Sequence, residues 1–94
     1  LPASDDLHEH FKALAILKEC LRMLADIAKY CEDEQIGPLL DQVDYELETG
    51  GLNEQVEKLL CLLFNLFRTK GTLISMAVQT SCAYFYQTDR GRLS

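Results

Sequence analysis

The 94-residue chain has no tryptophan, two prolines, five glycines, and no base at all between residues 32 and 57. Each shortage excludes something. So little proline and glycine, with 48% hydrophobic residues, excludes a disordered or linker-like chain and places the sequence with globular proteins. The densest apolar run, Leu59 to Phe67, is interrupted by Asn65 and falls well short of the roughly 20 residues that span a bilayer. There is no phosphate loop and no dinucleotide fingerprint. The two histidines, His8 and His10, stand together at one end, so no serine or cysteine has an evident base beside it. Two apart on a helix, their imidazoles point about 200 degrees away from each other and cannot chelate one ion. The cysteines form no CxxC pair, and their intervals of 11, 30 and 21 residues match no zinc motif. Asp44 to Glu54 resembles a calcium loop only superficially, because its glycines fall at the seventh and eighth positions instead of the sixth. No metal or cofactor is expected, and the chain is not expected to be an enzyme.

Charge is present but unevenly spread. Residues 1 to 31 carry five acids and four bases, residues 32 to 57 nine acids, and residues 58 to 94 one acid and five bases. The middle is therefore an acidic block. It reads either as a solvated face that keeps the domain soluble or as a docking face for a basic protein partner, with Asp41, Asp44, Glu46 and Glu48 as its candidate binding residues. Nucleic acid is not expected as a partner, because binding it needs a basic stripe and the candidates Arg90 and Arg92 are isolated.

Periodicity predicts an all-α chain, a compact four-helix domain over residues 1–94 with helices at approximately 6–31, 38–48, 53–70 and 72–87. The first helix opens on Asp6 and Glu9, an acidic variant of the capping box. Its polar stripe is His8, Lys12, Ala15, Glu19, Arg22, Asp26 and Lys29, with Arg22 and Asp26 as an i,i+4 pair, and the apolar residues on both sides predict burial over a broad arc. Glu32, Asp33 and Glu34 end it, since acids are unfavourable at the negative end of the dipole. Pro38 suits the start of the second helix, and Leu39, Leu40, Val43 and Leu47 give that helix one apolar face. Asn53 is the expected N-cap of the third. Thr72 is the expected cap of the fourth, in which Ile74, Val78, Cys82 and Phe85 form one stripe. Helices 1 and 3 are expected to pair centrally, with 2 and 4 outside.

Asn65 is the one polar residue inside the leucine-rich run, and Tyr84 and Tyr86 flank Phe85 in a segment without charge from Thr72 to Thr88. These three join the four acids as candidate partner-binding residues. Function is expected to be protein–protein interaction, as a scaffold or adaptor, with self-association through the fourth helix. Three of the four cysteines sit among leucines and alanines, where a thiol packs as a small core residue, so reduced thiols and an intracellular location are favoured. The alternative is a secreted helical signalling or defence protein with two disulfides. In that reading Cys20 and Cys31 on the first helix face Cys61 or Cys82.

Residues 53 to 66, NEQVEKLLCLLFNL, resemble the third helix of an armadillo repeat, and Ile36-Gly37-Pro38-Leu39-Leu40 looks like the proline-led second helix of such a unit. The resemblance implies a relation to armadillo/HEAT-type helical repeats. It also implies that Asn65 faces a groove taking extended peptides, with Cys61 where the family has tryptophan.

Overall fold

The computed structural model describes residues 2–86, with side chains from residue 6 onward. Five helices follow one another: α1 Pro2–Ala28, α2 Ile36–Gly50, α3 Glu54–Arg68, α4 Thr72–Ser81 and the single turn α5 Ala83–Tyr86. Among the described residues there is no strand, so the chain is all-α with four principal helices, as expected.

Local chemistry explains the boundaries. The first helix starts earlier than Asp6, at Pro2, whose fixed φ and missing N–H suit a first helical position. It ends at Ala28, after which Lys29, Tyr30 and Cys31 donate to carbonyls three residues back and Glu32 turns the chain at φ 51°. Helix α2 begins two residues before Pro38, which costs nothing because N–H groups in a first turn have no intrahelical acceptor. Gly51, at φ 71°, stops it, and its N–H reaches the Leu47 carbonyl. Asn53 caps α3 as expected, its side-chain oxygen accepting from the Val56 N–H at 3.1 Å. Gly71, at φ 107°, holds the cap position of α4, so Thr72 is its first helical residue instead of its cap. The predicted fourth helix breaks at Cys82 (φ −122°, ψ 32°), and Phe85 and Tyr86 both donate to the Cys82 carbonyl to make α5. Residue 87 lies outside the described residues.

The helices form a ring: α1 packs on α2, α2 on α3, α3 on α4, and α4 back on α1. Helices α1 and α3 therefore lie diagonally, and the expected central pairing of these two is corrected. The reason is the connection 51–53, too short for anything but an antiparallel hairpin of α2 and α3. Among the described residues, the eighteen buried core residues include six from α3, Val56, Leu59, Leu60, Leu63, Phe64 and Phe67. Helix α1 is buried on a narrower arc than expected, through Ala13, Leu17, Cys20, Leu21 and Leu24. At 27 residues it is about 40 Å long, which nearly spans the 46 Å long axis of the molecule. Near its start, Asp6, Glu9, His10 and Ala13 form the side of α1 that borders Leu52 and Tyr84, and Leu7 and Phe11 are exposed.

The expected Arg22–Asp26 pair is replaced by two i,i+3 pairs, Arg22 with Glu19 and Lys29 with Asp26. A further ion pair joins Lys70, just after α3, to Asp33 in the α1–α2 connection. Asp33 also accepts from the Gln35 N–H at 2.8 Å. The Lys70 hydrogen bond and then the Gln35 N–H hold the Asp33 carboxyl below its ordinary pKa.

One disulfide is present, Cys20–Cys82, with Cα atoms 5.3 Å apart, while Cys31 and Cys61 are thiols. This corrects the expectation of four thiols and supplies one of the two bridges of the alternative. Cys20 on α1 and Cys82 at the end of α4 meet because those helices are ring neighbours. Cys31 lies beyond the end of α1, where its Sγ donates to the Ile27 carbonyl at 3.6 Å and burial pushes its thiol up.

Candidate functional site

Helix α2 separates two surface grooves, and the four acids singled out on it do not share one of them. Asp41, Asp44 and Glu48 recur at intervals of three and four and point toward α1, where Glu48 pairs with Lys18 at 3.7 Å. Glu46 turns away and accepts from the Gln42 amide at 3.1 Å.

The groove between α1 and α2 has a volume of about 600 Å³. Its floor is small and apolar: Leu21, Ala25 and Ala28 from α1 meet Gly37 and Leu40 from α2. Nothing lies within 4 Å of where a Cβ on Gly37 would project, so the floor is open at that point. Around it stand Glu32, Asp33, Glu34, Asp41 and Asp44, with Lys29 as the one base of the lining among the described residues. Lys29 is engaged with Asp26 and Asp33 with Lys70. Among the described residues, Glu32, Glu34, Asp41 and Asp44 have no base within ion-pair distance. Burial is the first cause that pushes the Asp44 carboxyl up, followed by repulsion from Asp41 and Glu48. Negative charge therefore gathers over apolar ground.

The groove between α2 and α3 is different in kind. About 640 Å³ in volume, it is lined by Pro38, Leu39, Leu62 and Leu66, with Gln35, Gln42, Asn65 and Thr69 at its rim and, among the described residues, no charged one. Asn65 is exposed here, so helix α3 is not enclosed on all sides. Leu62 beside it is 56% exposed.

The two tyrosines part company. Tyr84 is 40% exposed and stands edge-on to Phe85 at 4.8 Å, over a small hollow formed with Asp6, Glu9, His10, Ala13 and Leu52. Tyr86 belongs to the edge of the core: its ring meets Phe64 edge-on at 5.3 Å, Arg68 lies 5.8 Å over it, and the Arg68 Nε–H donates to its hydroxyl at 3.3 Å. The candidates thus fall into five places: Asp41, Asp44 and Glu48 on one flank of α2; Glu46 turned away from it; Asn65 in the neutral groove; Tyr84 over the hollow beside α1; and Tyr86 against Phe64 and Arg68. The reading of single residues missed the groove floor and the acids Glu32 and Glu34. A usable signal existed in Leu21, Ala25 and Ala28, three small or apolar residues at helical spacing ahead of an acidic turn.

Among the described residues, no group of three or more histidine, cysteine, aspartate or glutamate side chains is arranged to hold a metal ion. No described helix is long and apolar enough to cross a membrane. Compared with protein-family models, curated proteins and solved structures, the chain has no significant match to any of them.

Proposed function

We propose that the chain is a non-catalytic protein-interaction domain, a scaffold or adaptor, that docks a basic amphipathic segment of a partner in the groove between α1 and α2. The observation that carries this reading is the combination of an apolar floor with acids that have no basic partner among the described residues. Leu21, Ala25, Ala28 and Leu40 offer surface for aliphatic side chains, and Glu32, Glu34, Asp41 and Asp44 offer charge to lysine or arginine. Long basic side chains suit both, because their methylene stems lie on apolar ground while their heads stay in water. Steering by the acidic field raises the encounter rate, and salt weakens it. A peptide with lysines and arginines on one helical face and leucines on the other, titrated into labelled protein, should shift the backbone amide signals of residues 21–28 and 32–44. Shifts confined to α3 and α4, or no shifts, would remove the reading.

A second reading, self-association through α4, is favoured by a separate observation. Leu73 is 83% exposed and Met76 57% exposed on a helix with no charged residue. Light scattering after gel filtration tests it, and one monomeric mass at every concentration would end it. The armadillo-like relation of residues 36–66 stays a proposal, supported by the α2–α3 hairpin and the exposure of Asn65. Of the two compartments considered, the Cys20–Cys82 bond supports the secreted one, because disulfides persist in oxidising surroundings.

A further inference from the structure

The core is divided unequally between the helices. Of the eighteen buried core residues among the described ones, fifteen come from α1, α2 and α3, and three, Val78, Cys82 and Phe85, come from residues 72–86. Helix α4 contributes one fully buried side chain, Val78, and leaves Leu73 and Met76 in solvent. A helix of ten residues with one buried side chain is marginal by itself, since isolated helices shorter than about 12–15 residues rarely hold in water. Besides Val78, the partly buried Ile74 and the buried Phe85, Cys82 ties it down. This residue closes α4 through its N–H to the Val78 carbonyl at 2.9 Å, carries α5 on its own carbonyl, and is bonded to Cys20 on α1. Both cysteines are 2% exposed.

We propose that Cys20–Cys82 is a redox latch: reduction releases α4 and α5 from the α1–α2–α3 body, which stays folded and uncovers the apolar face that carries Phe64. Tyr86 covers the Phe64 ring from α5, and Phe64 itself is fully buried in the latched form. The reductant is a dithiol. One of its thiolates attacks a sulfur of the bridge and forms a mixed disulfide while the other cysteine leaves as a thiolate. The second thiol of the reductant then displaces the remaining cysteine. The dithiol is oxidised to its own disulfide, and Cys20 and Cys82 take up two electrons and two protons. Because both cysteines are buried, the attack follows a transient opening of α4, whose rate sets the upper limit on reduction.

Hydrogen exchange on the full chain, read by mass spectrometry with and without dithiothreitol, tests the latch. The expected result is exchange at least about tenfold faster across residues 74–86 after reduction, with residues 17–24, 36–50 and 56–67 unchanged. The Cys20→Ala/Cys82→Ala double variant should show the same pattern without any reductant, which separates loss of the bond from other effects of the thiol. Unchanged protection in 74–86 would show that the bond is passive. Loss of protection in every helix, in the reduced protein or in the variant, would show that it holds the whole fold. Either result overturns the proposal.

Discussion

Leu62 and Leu63 are adjacent on α3 and chemically identical, yet truncating them should have very different effects. Leu63 is fully buried among Leu59, Leu60, Phe64 and Phe67, whereas Leu62 is 56% exposed in the neutral groove. Leu63→Ala loses the transfer free energy of the removed carbons and leaves a cavity, a combination that costs about 2–5 kcal/mol in buried leucine truncations. The middle of that range is the expectation, because the ring of helices closes on Leu63 from several sides and cannot collapse into the gap without moving phenylalanines. A loss of about 3 kcal/mol lowers the melting temperature of a domain this size by roughly 12–24 °C. Leu62→Ala and Asn65→Ala remove surface contacts and should each change stability by about 0.5 kcal/mol or less. Urea denaturation of the three variants beside the parent reads the differences directly. A loss below about 1 kcal/mol for Leu63→Ala, or a large loss for Asn65→Ala, would refute the placement of α3 with its Leu63 face inward.

Three further outcomes are expected. The bond Cys20–Cys82 closes a separation of 62 residues, so removing it with Cys20→Ala/Cys82→Ala should cost about 4 kcal/mol by the chain-entropy relation, read as a lower urea midpoint. The Asp33 carboxyl titrates below its unfolded value because of Lys70 and the Gln35 N–H. Its contribution is therefore complete above the ordinary aspartate pKa and is lost as pH falls through the lowered one, and Lys70→Met should flatten the acid limb of a stability–pH curve. Asp44 has the opposite sign: burial, Asp41 and Glu48 raise its pKa, so its ionised form opposes folding above the ordinary aspartate value. Asp44→Asn should stabilise the protein at neutral pH, with the gain shrinking as pH falls below the raised pKa, and an equal gain at both ends of the range would contradict this.

Much of the fold was legible because α2 and α3 announce themselves. Val43, Leu47, Val56, Leu60 and Leu63 sit at helical spacing and are buried, and Asn53 caps where its side chain can accept from Val56. The diagonal placement of α1 and α3 was not legible, since periodicity states which face is apolar and not which neighbour covers it. Leu7 and Phe11 match the apolar pattern of α1 but are exposed, because the side of the helix that meets Leu52 and Tyr84 there carries Asp6, Glu9, His10 and Ala13. The break at Cys82 carries no sequence signal such as glycine or proline, and it falls at the residue bonded to α1. Of the site, the charge of α2 was readable from composition. Its division between two grooves was not, since Glu46 and Glu48 differ only in which flank a two-residue step reaches.

If the acids bordering the α1–α2 groove bind a basic amphipathic segment, as proposed, neutralising two of them weakens the complex. The most direct measurement is the affinity of one such peptide for the parent and for Asp41→Asn/Asp44→Asn, by calorimetry at low and high salt. Two exposed charge contacts at about 0.5 kcal/mol each correspond to about a fivefold weakening in the variant at low salt, shrinking as salt screens the parent's advantage. Equal affinity of the two proteins at low salt would contradict the proposal.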